Sequence, residues 1–153
     1  MALLGFALRE PFIASNVSEE LKAKFLWISN AILRNTPCTS VHIFKKKEKE
    51  GVILLSQAGV VSADPLKFPP SLPTKQPILQ GIISEAEREV YLPDLQILPG
   101  KIEFTYLPLN CQSVLMLAAG EYIIVVGTNQ AKVLKQEDLT RIRTLSYILK
   151  EIV

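Results

Sequence analysis

The chain has 153 residues, of which 48% are hydrophobic and 21% are charged, and its formal net charge is +2. This balance is typical of one globular domain and excludes a disordered chain. A chain of this length can bury a core without a structural metal or disulfide. Because the net charge is small and no basic stripe alternates with aromatic residues, the sequence does not favour nucleic-acid binding.

Residues that could hold a metal or perform catalysis are scarce. Cys38 and Cys111 have no CxxC partner, and His42 is the only histidine. We therefore expect no metal site and two reduced thiols. No glycine-rich phosphate loop follows a strand, and nothing orients a nucleophile toward His42, so we predict no catalytic site. We interpret His42 as a half-buried strand residue, with an axial haem ligand as the alternative.

The first 15 residues are interpreted as an apolar arm, and residues 16–153 as a single domain. Met1–Leu8 is apolar but much shorter than the roughly 20 residues that span a bilayer. It also lacks the basic start of a signal peptide. We expect the arm to pack on the domain, while a peripheral membrane contact and a remnant of a longer protein stay open as alternatives.

The first predicted element of the domain is a helix that begins near Asn16, since Asn16 and Glu19 have the spacing of a capping box. Apolar residues then recur at helical intervals at Leu21, Phe25, Ile28 and Ile32. Pro37 predicts that the helix ends near Thr36, because proline disfavours helical backbone at the residue before it.

The next segments predict a hairpin of two strands. Residues alternate over Ser40–Lys46, and Gly51–Ala58 is a second apolar run. The intervening Lys45–Glu50 is interpreted as a solvated charged turn, with contact to an acidic membrane surface as the alternative.

The middle of the chain is less regular. Prolines in Gly59–Pro73 predict a long irregular connection. Thr74 is expected to cap a short helix, and Arg88–Leu92 is a short strand followed by a second irregular loop over Leu95–Ile102. The acidic residues around that strand are interpreted as a solvated face: Glu85, Glu87 and Glu89.

Two nearly continuous apolar runs, Ser113–Leu117 and Tyr122–Val126, predict a central hairpin that is covered on both faces. Ala118–Glu121 is the expected turn, and Lys135–Ile152 predicts a final amphipathic helix. Consecutive strands with short turns indicate an antiparallel sheet, hence an α+β fold. The two terminal helices are expected on one face, and the short helix with the proline-rich loops on the other.

This order of elements resembles the GAF domain family. The resemblance is carried by Pro77–Gln80 followed by Glu89–Leu95, by the hairpin Ser113–Val126, and by Gln136–Leu139 at the start of the final helix. It implies a five- or six-stranded antiparallel sheet of strand order 2-1-5-4-3. The strand Tyr122–Val126 would lie at its centre, and the short helix and loops would cover a pocket.

A second set of residues resembles the soluble GAF-like region of the cofactor-assembly-of-complex-C family, at Glu103-Phe104, Tyr106-Leu107-Pro108, Asn110–Leu115 and Val125–Gly127. Proteins of that family occur in oxygenic phototrophs and help to attach the extra haem of the cytochrome b6f complex. The resemblance implies protein partners among the b6f assembly components and a contact with haem. It also implies a soluble or peripheral location on the cytoplasmic or stromal side of the thylakoid membrane.

Two features depart from that family. Its members have transmembrane segments ahead of this region, and none is evident in this sequence. Its final helix carries an Asp-x-x-Trp-Ile pattern, in which Asp138 and Ile142 are present here but Arg141 replaces the Trp.

The residues expected to contact a ligand or partner lie in the loop that enters the central hairpin: Tyr106, Asn110, Cys111 and Gln112. Cys111 is interpreted as a buried structural thiol, with a reactive or haem-contacting thiol as the alternative. In bilin-binding GAF domains the attachment Cys is followed by His, so Gln112 argues against a bound chromophore.

The leading functional hypothesis is a non-catalytic GAF-like domain that acts by protein contact in cytochrome b6f haem assembly. A small-molecule sensor and a homodimerisation module built on the terminal helices are the alternatives. An enzyme is least favoured, because base, nucleophile and metal ligands are missing from the sequence pattern.

Overall fold

The computed structural model describes residues 5–7, 12–15, 17–47, 51–62, 71–72, 89–95 and 111–150. Within these ranges the helices are α1 (Glu19–Asn35) and α2 (Gln136–Lys150). The strands, in chain order, are β1 (Gly5–Ala7), β2 (Phe12–Ile13), β3 (Ser40–Lys47), β4 (Gly51–Ser62), β5 (Ser71–Leu72), β6 (Glu89–Leu92), β7 (Ser113–Ala119) and β8 (Tyr122–Thr128).

The described strands form one antiparallel sheet of order β1-β4-β3-β8-β7-β6, with β2 and β5 also paired to β4. The five longer strands follow the predicted order 2-1-5-4-3, so the predicted α+β architecture is confirmed. The N-terminal strands β1 and β2 both run along β4, where Gly5 faces Ser62 and Phe12 faces Gln57. They add backbone hydrogen bonds to a strand that would otherwise end the sheet.

Strand β8 lies at the centre of the sheet, and all seven of its residues are buried. Side chains alternate between the two faces of a strand. Accordingly, Tyr122, Ile124 and Val126 pack in the core beneath the helices, whereas Ile123 and Val125 pack in a second core on the opposite face. Burial on both faces explains why this strand is a continuous apolar run.

The helical face of the sheet is covered by both terminal helices, as predicted. Phe25, Ile28 and Ile32 of α1 are fully buried, and Ile142 of α2 belongs to the same core. The ring of Phe25 meets the ring of Tyr122 edge-on, with centroids 5.7 Å apart and planes at 81°. This contact joins the first helix directly to the central strand.

Helix α1 begins later than the Asn16 capping box predicts. Ser18 is the N-cap, and its hydroxyl oxygen accepts a hydrogen bond from the Leu21 amide at 3.2 Å. Glu19 is then the first helical residue and cannot take the third-residue role that the box requires. At the other end, the Thr36 amide and hydroxyl both donate to the carbonyl of Ile32, so the predicted end is confirmed.

Helix α2 begins at Gln136, where Asp138 Oδ2 accepts a hydrogen bond from the Lys135 amide at 2.9 Å. It starts at the end of the sheet where α1 finishes, because Arg141 Nη1 donates to the Asn35 carbonyl at 3.1 Å. Since both helices lie on the same face and α2 begins where α1 ends, they run in opposite directions.

The turn of the central hairpin is shorter than the predicted Ala118–Glu121. Ala118 and Ala119 continue strand β7, and Gly120 and Glu121 alone make the turn. Gly120 has φ 62°, the left-handed conformation that a two-residue hairpin turn favours. The predicted short helix after Thr74 and most of the two proline-rich loops lie outside the described residues. Of the helices that the structure describes, neither is long and apolar enough to cross a bilayer.

Candidate functional site

The candidate site lies where Cys111 and Gln112 enter strand β7. Cys111 is buried, and its thiol points at two carbonyls, that of Ser113 at 3.4 Å and that of Thr128 at 3.3 Å. Its side chain belongs to the second core, with Leu95, Val114 and Met116. The prediction of a buried thiol at this position therefore agrees with the structure.

Burial also determines the chemistry of the two thiols. It raises the pKa of Cys111 to about 11, and it raises the pKa of Cys38 to about 11 as well. At neutral pH both are protonated, and a protonated thiol is a poor nucleophile and a poor metal ligand. Both cysteines are free.

The backbone keeps the two cysteines apart. The amides of Thr39 and Gln112 bond to β8 from opposite sides, at the Gly127 carbonyl (2.8 Å) and the Thr128 carbonyl (2.9 Å). Cys38 and Cys111 are therefore separated by two strand spacings, roughly 10 Å. Because a disulfide needs Cα atoms within about 7 Å, the fold disfavours a bond between them.

Gln112 joins three segments through its backbone. Its amide donates to the Thr128 carbonyl, and its carbonyl accepts a hydrogen bond of 2.8 Å from the Leu95 amide. The chain therefore leaves the described structure after Leu95 and returns at Cys111 at the same place. Residues 96–110, which carry Tyr106 and Asn110, connect these two points. Both residues lie outside the described part of the chain, so their contacts stay a prediction.

A pair of buried hydroxyls secures the neighbouring end of β8. Ser113 and Thr128 are fully buried, and their side-chain oxygens share a hydrogen bond. Both hydroxyls also lie within hydrogen-bond distance of the Gln130 carbonyl, at 3.3 Å and 2.8 Å respectively. The sequence indicates only that these residues end two strands. Their meeting depends on the pairing of Ser113 with Thr128 across β7 and β8.

Residues after β8 contact the loop that follows β6. The Lys132 amide donates to the Pro93 carbonyl at 2.8 Å, and Lys132 has φ 57°, a conformation that residues other than glycine seldom adopt. Three segments, 93–95, 111–113 and 128–132, are thus tied together at one end of the sheet. This end is the described base of the predicted contact loop.

His42 lies in the middle of β3, on the sheet face opposite the helices. It pairs with Gln57 on one side and Val125 on the other, and its ring stacks on that of Phe44 with centroids 6.2 Å apart. It is fully buried rather than half-buried as predicted. Burial lowers the pKa of His42 to about 3, so the imidazole is neutral at physiological pH.

The second face of the sheet is mostly apolar, with Phe44, Leu54, Met116 and Ile123 among its buried residues. His42, a neutral imidazole on the same face, adds a polar group to this surface. Among the described residues, no group of three or more His, Cys, Asp or Glu side chains could hold a metal ion.

An ion pair connects the edge strand β6 to helix α2. Arg143 donates two hydrogen bonds of 2.6 Å to Glu89, from Nε to Oε1 and from Nη2 to Oε2. These bonds lower the pKa of Glu89. The interpretation of Glu89 as a solvated acid is therefore wrong. Its partner lies 54 residues away in the sequence, so no local charge pattern could reveal the pair.

Replacing Glu89 with glutamine is expected to lower the free energy of unfolding by about 1 kcal/mol at pH 7, because a bidentate charge-assisted pair that is partly exposed is lost. Urea denaturation measures the effect. Glu121→Gln is the matched control, since Glu121 meets Lys45 at 3.9 Å with both side chains about half exposed. Equal effects of the two substitutions would contradict the role given to Glu89.

The pH dependence of this difference has a defined sign. Because the folded-state pKa of Glu89 is lowered, its stabilisation is present above the ordinary carboxyl pKa and is lost as the pH falls through the folded value. The wild-type protein and Glu89→Gln should therefore converge in acid.

Solved structures of GAF domains share this fold. GAF3 of Slr1393 from Synechocystis sp. PCC6803 has a TM-score of 0.66 at 11% identity, over 86% of this chain and 91% of that one. A GAF domain/HD domain protein from Geobacter sulfurreducens has a TM-score of 0.64 at 12% identity, over 86% and 90%. The type II free methionine-R-sulfoxide reductase from Thermoplasma acidophilum has a TM-score of 0.57 at 11% identity, over 87% and 93%.

At such low identity these likenesses show the fold alone, and they define the chain as a GAF-like α+β protein. A narrower assignment comes from the amino-acid sequence. Residues 6–149 match the family model for cofactor assembly of complex C, CCB2/CCB4. The chain belongs to this family. No curated protein sequence matches the chain.

Proposed function

We propose that this protein is a non-catalytic GAF-like assembly factor that acts by protein contact in attaching haem to the cytochrome b6f complex. The observation that carries the proposal is the family match over residues 6–149. The family is named for the assembly of a cofactor. The proposal places the protein on the cytoplasmic or stromal side of the thylakoid membrane, as a soluble or peripheral component.

The contact surface in this proposal is the loop over residues 96–110, with Tyr106 and Asn110 as the contacting side chains. Support comes from its two ends, which the Leu95–Gln112 hydrogen bond holds together. A loop with fixed ends loses less conformational entropy when it binds a partner than one with free ends. Gln112 and the buried Cys111 serve in this proposal as the base of the loop.

The chemistry of the described groups favours contact over catalysis. Both thiols are held in the protonated form by burial, and His42 is a neutral imidazole with no exposed surface. A catalytic group must reach its substrate. None of these three side chains is accessible in the described structure. A haem delivered to cytochrome b6 would accordingly be a cargo that the protein helps to place.

A small-molecule sensor is the second candidate, and the second face of the sheet is the observation that favours it. Phe44, Met116 and Ile123 with the neutral His42 make an apolar surface with one polar group, the combination that ligand sites use. Native mass spectrometry of the purified protein tests this candidate. A retained small molecule would support it, and an unliganded mass would count against it.

The protein-contact proposal is tested by co-purification with cytochrome b6 from an oxygenic phototroph that expresses the tagged chain. We expect cytochrome b6 to be retained, and retention to fall at least tenfold in the variant Tyr106→Ala/Asn110→Ala. Thr140→Ala is the control, because Thr140 lies exposed on α2, on the helical face. Equal retention by the loop variant and the control would overturn the role of the loop.

A further inference from the structure

The outer surface of α1 carries an exposed tryptophan. Among the described residues, Trp27 and Tyr147 are the large hydrophobic side chains that lie mostly in solvent, with 56% and 61% of their surface exposed. Tyr147 lies beside Arg143, on the side of α2 that faces β6. Arg141 reaches α1 on the opposite side of α2. The two aromatic residues therefore belong to different surfaces, and Trp27 must be explained by its own helix.

Residues around Trp27 are arranged symmetrically along α1. Glu20 and Arg34 lie seven residues before and after Trp27, and Ala23 and Ala31 lie four residues before and after it. At 3.6 residues per turn, all four lie within about 40° of Trp27 around the helix axis. Glu20, Ala23 and Arg34 are exposed or partly exposed, and Ala31 is half-buried. We call these five residues the α1 stripe.

We propose that a second copy of this chain docks on the α1 stripe, with the two α1 helices antiparallel and a two-fold axis at Trp27. In that arrangement residue i of one copy lies opposite residue 54 − i of the other. Glu20 then meets Arg34 of the second copy at both ends of the contact. Ala23 meets Ala31 of the second copy, and these small side chains leave room beside the paired Trp27 rings.

Charge complementarity selects this partner and this direction. A parallel pair of α1 helices would place Glu20 against Glu20 and Arg34 against Arg34, which is repulsive. The antiparallel pair places opposite charges together twice. A two-fold interface must be self-complementary, because the same surface is used by both copies. The α1 stripe satisfies this condition with its charges, its small residues and its central aromatic side chain.

The size of the contact sets the expected affinity. The stripe from Glu20 to Arg34 is roughly 21 Å long at 1.5 Å per residue. Contacts of that size are at the small end of specific interfaces, so a dissociation constant in the micromolar range is expected, on the order of 10 μM. Because this inference concerns only the purified chain, its outcome is independent of any role in haem assembly.

Concentration-dependent association of the purified chain tests the inference. Trp27 is the only tryptophan, so its fluorescence should shift to shorter wavelength as the dimer forms and buries the ring. Sedimentation velocity over about 1 μM to 500 μM, a range chosen to span the expected constant, should show the same transition. Trp27→Ala should weaken dimerisation by about 30-fold, the effect of removing a central hot-spot residue. Tyr147→Ala is the matched control and should leave it unchanged.

Charge reversal distinguishes this dimer from any other. Glu20→Arg or Arg34→Glu alone should weaken association at least tenfold, because each creates two like-charge contacts per dimer. The double variant Glu20→Arg/Arg34→Glu restores opposite charges across the two-fold axis and should recover wild-type affinity. Circular dichroism confirms that each variant is folded. A monomer throughout the range, a dimer unaffected by Trp27→Ala, or a double variant no better than the single ones would each overturn the inference.

Discussion

Replacing Gly59 with alanine is expected to lower the free energy of unfolding by at least about 3 kcal/mol, because the substitution combines backbone strain with a backbone collision. Gly59 has φ +87°, and a Cβ atom placed there would lie 2.2 Å from the Thr39 carbonyl oxygen. That oxygen cannot easily move, since it accepts a hydrogen bond from the Val60 amide at 2.9 Å. Thr39 is fixed in turn by its own amide bond to Gly127.

Gly120→Ala separates the two causes. Gly120 also has a positive φ, 62°, but lies exposed at the tip of the central hairpin. Alanine there should cost only the left-handed backbone strain, about 1–2 kcal/mol. Urea denaturation of both variants measures the difference. If Gly59→Ala were no more destabilising than Gly120→Ala, the close approach of β4 to the start of β3 would be wrong.

Acid is expected to weaken the fold through His42, by about 2.5 kcal/mol between pH 7 and pH 4.5. The folded-state pKa of about 3 lies below the ordinary value of 6.5 because the imidazole is fully buried. Below pH 6.5 the unfolded chain therefore binds a proton that the folded chain excludes. The stabilisation is complete above pH 6.5 and is lost as the pH falls toward 3, at about 1.4 kcal/mol per pH unit.

His42→Phe provides the comparison for this effect. Phenylalanine has no titrating group and can retain the stacking on Phe44. The free energy of unfolding of the variant should change much less between pH 7 and pH 4.5 than that of the wild type. Carboxylates such as Glu89 titrate in both proteins and cancel in the difference. Parallel pH curves for the two proteins would contradict the buried neutral state of His42.

The elements with regular hydrophobic periods could be predicted from sequence with useful accuracy. The run over Tyr122–Val126 indicates a strand covered on both faces, and β8 is that strand. Pro37 indicates the end of α1 correctly, because the restriction it imposes is local. The start of the helix was less predictable, since Asn16 and Ser18 are both good caps and only backbone geometry selects Ser18.

Features that depend on distant residues could not be read from local pattern. Glu89 looks like one of several surface acids until α2 brings Arg143 to it. Gly59 looks like the start of a loop, yet it continues β4 and contacts Thr39 across the sheet. In the candidate site, the burial of Cys111 was predictable from its apolar surroundings. The role of Gln112 was not, because its hydrogen bonds come from Leu95 and Thr128, each brought there by a separate strand.

The central claim is that this member of the cofactor-assembly family serves haem attachment to the cytochrome b6f complex. Deleting its gene in the source phototroph and measuring the covalently bound haem of cytochrome b6 tests the claim most directly. The account predicts that the covalent haem is lost and that the wild-type gene restores it. A normal content of covalent haem in the deletion strain would contradict the account.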